Sequence, residues 1–421
     1  MMMMITPSLT QAPPVVSSVR QPQGVAVSST TLAILGGGQL GRYLAMTAKR
    51  LGHTVCVWSD TPEAPALSVA DIAVVAPYHD TDALQQVSCC CTHATLEFEN
   101  LPYTLLEHLE AAGLKVRPHA TVLALAQHRV LERRYLRQLG VAMPTWFEIT
   151  TPSDLETALA QLHQQGHDRS VLKTSLGGYD GKGQVVLATD ATCDERQQAW
   201  QQVGAAYSPS AAGSSDALPP LVLEAFVPFV RELSLLVARN LQGQVTHFPL
   251  IENEHQHQRL VASWLPVRCC SLSNTHAPTT RQADLTPQAT ALATRLAEGL
   301  GLEGLLCVEL FETPEGELWV NELAPRPHNS GHLTIEATPM CQYELALRCL
   351  LDLPMPPPEA LHPHTPTQLI NIYGDCWQNG DAEAQRQFAH FQLAHPLARL
   401  HLYGKQVAKA GRKMGHWSLP Y

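Results

Sequence analysis

A short apolar run, Thr31 to Leu35, passes directly into Gly36, Gly37, Gly38, Gln39, Leu40, Gly41, and a helical pattern follows from Tyr43 to about Leu51. This restricts the chain severely. The strand must end in a turn open to residues without a Cβ, and the helix must begin with its free N–H groups aimed at whatever lies above the strand. His53 to Trp58 reads as the next strand, with Asp60 at its end, where a nucleotide-binding unit keeps its ribose carboxylate. Short strands at Ala73 to Val75 and His93 to Phe98 continue a parallel α/β layer. The G-x-G-x-x-G spacing alone fits a dinucleotide cofactor, another phosphate or substrate seat, or a tight turn and nothing more.

Val122 to Leu139 has the spacing of one amphipathic helix closed by Gly140, and Pro144 marks a boundary. A second glycine-rich turn, Gly177, Gly178, Tyr179, Asp180, Gly181, Lys182, Gly183, lies between the strands Ser170 to Thr174 and Gln184 to Ala188. It joins strand to strand, so it is not the helix-opening phosphate loop of G-x-x-x-x-G-K-[ST] proteins. Its free N–H groups and Lys182, with Lys173 on the preceding strand, suit a lid hairpin over phosphate oxygens; a flexible hairpin with a solvated lysine has the same composition.

Leu223 to Val227 sets Glu224 in an apolar stretch suited to adenosine, and Glu232 follows. Leu305 to Phe311 and Leu318 to Asn321 form a strand pair around the turn Pro314, Glu315, Gly316, which can bring Glu309 beside Glu322. Two facing carboxylates call for a cation, and an oxygen-only donor set favours magnesium; buried salt-bridge partners are the alternative. Asn321 to His332 crowds polar groups into a proline-braced loop next to that pair.

A chain of 421 residues exceeds one ordinary core, so two or three domains are expected. A formal net charge of -10, without a stripe of Lys and Arg, excludes a nucleic-acid footprint. No apolar run is long enough to cross a bilayer. The 11 cysteines, including Cys89, Cys90, Cys91 and Cys269, Cys270, lack the paired spacing of a zinc or redox motif, and without a secretion signal they point to reduced thiols in a cytoplasmic setting. Residues 1–29 show no periodicity and hold Arg20 as their only charge; we expect a disordered tail, with too few arginines for an organelle transit peptide. Residues 204–220, rich in Ala, Ser, Gly and Pro, read as a flexible insertion, and the proline cluster at 354–358 reads as a linker to a small tail domain.

The ordered motifs GGGQLG, EFEN, GGYDGKGQ, NELAPRPHNSGH, YGK and GRKMGH resemble those of the N5-carboxyaminoimidazole ribonucleotide synthase family over roughly residues 30–421. The resemblance implies an α/β and α+β, three-domain ATP-grasp fold: a Rossmann-like substrate domain at 30–120, an ATP-grasp domain at 121–350 with its lid at about 145–228, and a small β-rich C-terminal domain at 351–421. It implies ATP-dependent carboxylation of 5-aminoimidazole ribonucleotide by bicarbonate, with magnesium or its substitute manganese, in a cytoplasmic homodimer. By motif matching, ATP would meet Arg129, Lys173, Gly178, Gly181, Gly183, Gln184, Glu224, Ala225, Phe226, Val227, Glu232, His255, Asn321 and Glu322, with Glu309 and Glu322 on the metal. The ribonucleotide would meet Gln39, Leu40, Glu97, Asn329, Lys405, Arg412 and Lys413, and Tyr179, Asp180, Lys182 and Lys405 would serve the chemistry. Three cations in the tail motif suit a ribose 5-phosphate on chemical grounds as well. Two departures stand out. The family helix carries Lys after an Asp-Arg pair, where this chain has His128, Arg129 and then Arg133, Arg134; Lys409 and Ala410 replace a common Arg-Pro.

Overall fold

The computed structural model describes residues 30–177, 183–205, 219–268 and 284–421. The first domain is a parallel sheet of β1 (Thr31–Leu35), β2 (Thr54–Ser59), β3 (Ile72–Val75), β4 (His93–Leu96) and β5 (Lys115–Val116), in the order β3-β2-β1-β4-β5. The helices are α1 (Gln39–Arg50), α2 (Thr81–Cys90) and α3 (Tyr103–Ala111). Strand β1 is buried on both faces from Leu32 to Leu35, as a continuous apolar run in a parallel sheet must be. The order reverses between β1 and β4, so the crevice lies at their C-terminal ends, where the glycine turn is.

The expected helix over 122–139 is two helices, α4 (Ala120–Gln127) and α5 (Arg129–Gln138). His128 between them is extended, at φ -117 and ψ 98. The break lets the backbone N–H of Arg129 donate to the Ser175 carbonyl at 2.9 Å, fastening α5 to the start of the second glycine turn.

An antiparallel sheet then forms from β6 (Trp146–Ile149), β7 (Arg169–Thr174), β8 (Gln184–Ala188) and β9 (Leu221–Ala225), in the order β6-β9-β7-β8. It is backed by α6 (Pro152–Gln164) and α7 (Cys193–Ala205). Strands β7 and β8 pair with Lys173 opposite Gln184, so the second glycine turn does join two strands.

The large sheet comprises β10 (Arg231–Arg239), β11 (Val245–His247), β12 (Ile251–Gln256), β13 (Arg259–Leu265), β14 (Gly304–Glu312) and β15 (Leu318–Ala324), with α8 (Thr286–Gly299), α9 (Thr334–Ala337) and α10 (Gln342–Leu350) around it. After the proline cluster come β16 (Thr367–Tyr373), α11 (Asp381–Ala394), β17 (Arg399–Leu402) and β18 (Lys413–Pro420). These strands extend the same sheet, since β16 pairs with β13 in the register Ala262–Ile370 to Leu265–Thr367. The sheet's hydrogen bonding therefore runs on past the linker composition, and the tail cations are carried on its margin.

One apolar core joins the first domain to the large sheet, with Leu32, Ile34 and Leu44 packed among Leu236, Phe248, Tyr343 and Leu347. Tyr43 of α1 stacks on Tyr343 of α10, ring centres 5.2 Å apart. Each buried aliphatic side chain contributes about 1.5–3 kcal/mol, so this interface holds the crevice at the glycine turn against the sheet that carries the acidic pair.

Candidate active site

The first glycine turn encloses a carboxylate of the protein itself. Glu97, one residue beyond β4 and buried, accepts from the Gly38 N–H through Oε1 and from the Gly41 N–H through Oε2, the latter at 2.7 Å. A Cβ on Gly38 would come within 2.6 Å of Glu97 Oε1, and one on Gly41 within 2.6 Å of the Gly36 carbonyl oxygen. The glycines are thus required by a close approach, and the N–H groups at the end of α1 that could seat a pyrophosphate are already taken by the Glu97 carboxyl. That removes the dinucleotide reading. Asp60 lies exposed beyond β2, outside this arrangement. Burial raises the Glu97 pKa, while the two N–H donors and the charges of Arg326 and Lys405 act to lower it.

Around Glu97 the sequence-predicted substrate residues converge. The Gln39 side-chain amide donates to Asn329 Oδ1 at 3.1 Å, joining the glycine turn to the proline-braced loop across 290 residues of chain. Leu40 is buried at the start of α1. Lys405 Nζ donates to the Lys413 carbonyl at 2.7 Å and lies 5.6 Å from the Tyr403 ring centre. Burial and the charges of Arg412 and Lys413 push the Lys405 ammonium down to about 8, against the opposing pull of Glu97. Arg412 donates to the Val407 carbonyl at 3.0 Å, curling the tail loop so that these cations cluster.

The second group of residues lies where α5 and the β6–β9 sheet meet the large sheet. Glu309 and Glu322 are direct partners across β14 and β15, as the tight turn between them foretold. His328 Nε2 reaches Glu309 Oε1 at 3.0 Å, and Arg129 Nη1 reaches Glu322 Oε2 at 3.1 Å. Burial would raise the Glu309 pKa, but the hydrogen bond and charge of His328 outweigh it and hold the group well below the usual carboxylate range. Facing carboxylates, oxygen-only and partly open, suit a hard divalent cation that keeps water and phosphate in its shell.

Lys173 and Glu224 lie on the adjacent strands β7 and β9, with Lys173 Nζ 2.6 Å from Glu224 Oε2. The other oxygen of Glu224 takes Arg133 Nε at 2.6 Å, and Arg133 also pairs with Glu132 at 2.6 Å and donates to the Asn321 carbonyl. Arg133 and Glu132 are fully buried. Burial, with the Glu322 charge, lifts Glu132 to about 7 against Arg133. Ala225 and Val227 are buried, and Phe226 lies under the Arg169 guanidinium at 3.9 Å. Glu232 pairs with His255 Nδ1 at 2.7 Å. Gly183, at φ 74, has its carbonyl bound by the Thr174 N–H at 2.8 Å, and Gln184 opens β8. Gly178, Tyr179, Asp180, Gly181 and Lys182 lie outside the described residues, as do 1–29, 206–218 and 269–283.

Sequence reasoning missed three parts of this arrangement. Arg133, noted only as a departure on its helix, is the hub of the buried charge cluster; its four-residue spacing from Arg129 on one helix face was the available signal. Arg326, bonded to Glu99, ties the proline-braced loop to the first domain. Behind both, His416 stacks on His332 and on His401, while Tyr43, Tyr343 and Tyr403 lie tilted against this histidine group, and the Tyr343 hydroxyl lies 2.6 Å from His332 Nδ1.

A lid hairpin and a carboxylate-bearing antiparallel sheet hung on a parallel α/β domain are the parts of an ATP-grasp ligase, and residues 134–343 match the ATP-grasp domain family. Residues 29–127 match the ribonucleotide synthetase preATP-grasp domain, and 367–419 the phosphoribosylaminoimidazole carboxylase C-terminal domain. The N5-carboxyaminoimidazole ribonucleotide synthase of Bacillus subtilis (strain 168) is 33% identical over 387 residues, covering 91% of this chain and 90% of its own. The Staphylococcus aureus N5-carboxyaminoimidazole synthetase solved with ADP superposes with a TM-score of 0.78 at 29% identity, covering 93% of each chain. The Aspergillus clavatus enzyme solved with ADP and 5-aminoimidazole ribonucleotide gives 0.76 at 28% identity, covering 93% of this chain and 94% of that one. The chain belongs to the N5-carboxyaminoimidazole ribonucleotide synthase family. It is an ATP-dependent carbon-nitrogen ligase.

Proposed function

We propose that this enzyme uses ATP and bicarbonate to carboxylate the exocyclic amine of 5-aminoimidazole ribonucleotide, yielding N5-carboxyaminoimidazole ribonucleotide, ADP and phosphate in purine biosynthesis. The observation that carries the reading is the convergence of three distant segments on one crevice. Glu97 caps the glycine turn, Gln39 bonds Asn329, and the Lys405 charge acts on Glu97. Such a crevice suits a ligand with amine, hydroxyl and phosphate groups, since carboxylate, amide and ammonium each have a partner there.

In this scheme the ATP phosphates meet Lys173, Arg129, Lys182 and the backbone from Gly178 to Gln184. Adenosine lies against Ala225, Phe226 and Val227, near Glu232 and His255. Glu224 acts through Lys173, which it holds by an ion pair, rather than by reaching the nucleotide itself. Glu309 and Glu322, with Asn321 beside them, would hold magnesium or its substitute manganese, which supplies charge neutralisation at the transferring phosphoryl group. A bicarbonate oxygen attacks the γ-phosphorus and the bond to the ADP oxygen breaks, giving carboxyphosphate. This collapses to carbon dioxide and phosphate, and the substrate amine adds to the carbon and releases a proton. Tyr179 and Asp180 are the groups we assign to that proton, with the Lys405 ammonium offsetting charge beside them, and Lys405, Arg412 and Lys413 to the ribose 5-phosphate. The lid shields the intermediates from water.

The proposal includes a cytoplasmic homodimer and the domain limits 30–120, 121–350 and 351–421. Its test is the substrate dependence of ADP release. We expect release to require 5-aminoimidazole ribonucleotide and bicarbonate together. Release without the ribonucleotide, or a preference for formate, overturns the reading.

A further inference from the structure

Among the described residues, one group of three metal-ligating side chains gathers apart from the active site: Cys56, Cys90 and Cys91, whose sulfurs all lie within 4.8 Å of one another. Cys56 sits mid-strand in β2, in register with Ala33 of β1 and Ile72 of β3, and its buried side chain belongs to the apolar core under α2. Cys90 ends α2 and Cys91 follows it, their sulfurs 3.5 Å apart. Cys56 and Cys91 are buried, whereas Cys90 is half-buried and gives the group a way in from solvent.

Small buried hydrophobes would explain any one of these residues. The convergence of three from two elements is a different matter, because three sulfurs each about 2.3 Å from a central ion in a plane stand about 4 Å apart. A second observation agrees. The last turn of α2 carries no basic residue, so the negative end of the helix dipole lies uncompensated beside the thiols, where a bound cation would offset it.

We propose that Cys56, Cys90 and Cys91 form a binding site for one thiophilic cation, Cu(I). The group contains no histidine or carboxylate, so hard ions are disfavoured, and three sulfurs fall short of the four ligands that structural zinc takes. Binding forms sulfur–metal bonds as thiol protons leave to solvent, with no change in the oxidation state of sulfur or metal. The ion ties β2 to α2. Two residues along β2, the Trp58 carbonyl accepts from the Gly36 N–H at 2.8 Å, so the tie steadies the strand that supports the substrate turn.

The full chain, reduced and kept anaerobic, is titrated with Cu(I) in competition with bicinchoninate. We expect one equivalent per chain to be withheld from the chelator, with near-ultraviolet sulfur-to-copper charge transfer and a raised Tm. Cys90→Ser, at the half-buried position, should abolish that equivalent while unfolding as the wild type does without copper, and Cys56→Ala provides a second variant. The exposed Cys89→Ser and Cys193→Ser should bind as the wild type does. Equal binding by all four variants, or no uptake against the chelator, overturns the proposal. So does uptake that vanishes in Cys89→Ser or Cys193→Ser and persists in Cys90→Ser.

Discussion

Glu309 and Glu322 stand directly opposite each other across β14 and β15, and each is held by a cation from elsewhere, His328 for the first and Arg129 for the second. Like charges in direct cross-strand register destabilise a sheet unless something lies between or beside them. The register slips immediately after Glu309, a bulge that re-aims the strand at this position. The pair's tolerance in the fold rests on Arg129 and His328.

Glu322→Gln should lower the rate of ADP formation by about 100-fold or more, because the proposed magnesium site loses one ligand and its charge at the phosphoryl group. The fold should survive, since the change removes a like-charge repulsion as well as the Arg129 pair. Steady-state ADP release at saturating magnesium, with a thermal melt, checks both halves. Unchanged turnover would remove Glu322 from the metal site.

Arg133 should be essential to stability rather than to contact with substrate. Its removal in Arg133→Ala leaves Glu224 and Glu132 buried with one cation fewer, a loss of about 3–5 kcal/mol for a broken buried pair. Arg133→Lys keeps the charge but loses the fork that joins Glu224, Glu132 and the Asn321 carbonyl, and should fall between wild type and alanine. Urea unfolding of the three proteins gives the order.

Glu97→Gln places an NH2 donor against one of the two N–H donors of Gly38 and Gly41. The lost charge-assisted bond costs about 1.5–3 kcal/mol, equivalent to roughly tenfold or more in affinity if it falls on the ribonucleotide. We expect KM for 5-aminoimidazole ribonucleotide to rise by that factor while KM for ATP stays within about twofold. Equal rises in both would mean that Glu97 supports the whole fold instead of the crevice.

The same residue shows where sequence reading stops. The strand, glycine turn and helix at 31–51 were legible because turn chemistry and periodicity are local. The partner of the turn was not, for Glu97 lies 56 residues from Gly41 and nothing near either announces the other. The β7–β8 hairpin and the Glu309–Glu322 register were legible for the same local reason. Arg133 illustrates the opposite case: a charged residue in a helix reads as solvated, and only tertiary packing reveals that it is fully buried among carboxylates. His128, whose extended backbone splits one helical pattern into two, is a tertiary override of periodicity.

Lys405 should give the enzyme a defined pH limb. Burial, Arg412 and Lys413 depress its pKa to about 8, so the free folded enzyme binds this proton more weakly than the unfolded chain, whose lysines titrate near 10.4. Ionisation of Lys405 therefore opposes folding below pH 8, and that cost fades as pH rises through the interval up to about 10.4. A bound phosphate has the reverse effect. It favours the ammonium and draws the pKa back up, so binding near pH 9 should take up a proton, measurable as a buffer-dependent heat in calorimetry. KM for the ribonucleotide should be flat below about pH 8 and then climb towards about tenfold per pH unit. Lys405→Arg, charged throughout, should erase this limb, and Lys405→Met should raise KM at every pH and flatten the profile. An unchanged limb in Lys405→Arg would assign it to another group and withdraw Lys405 from the phosphate.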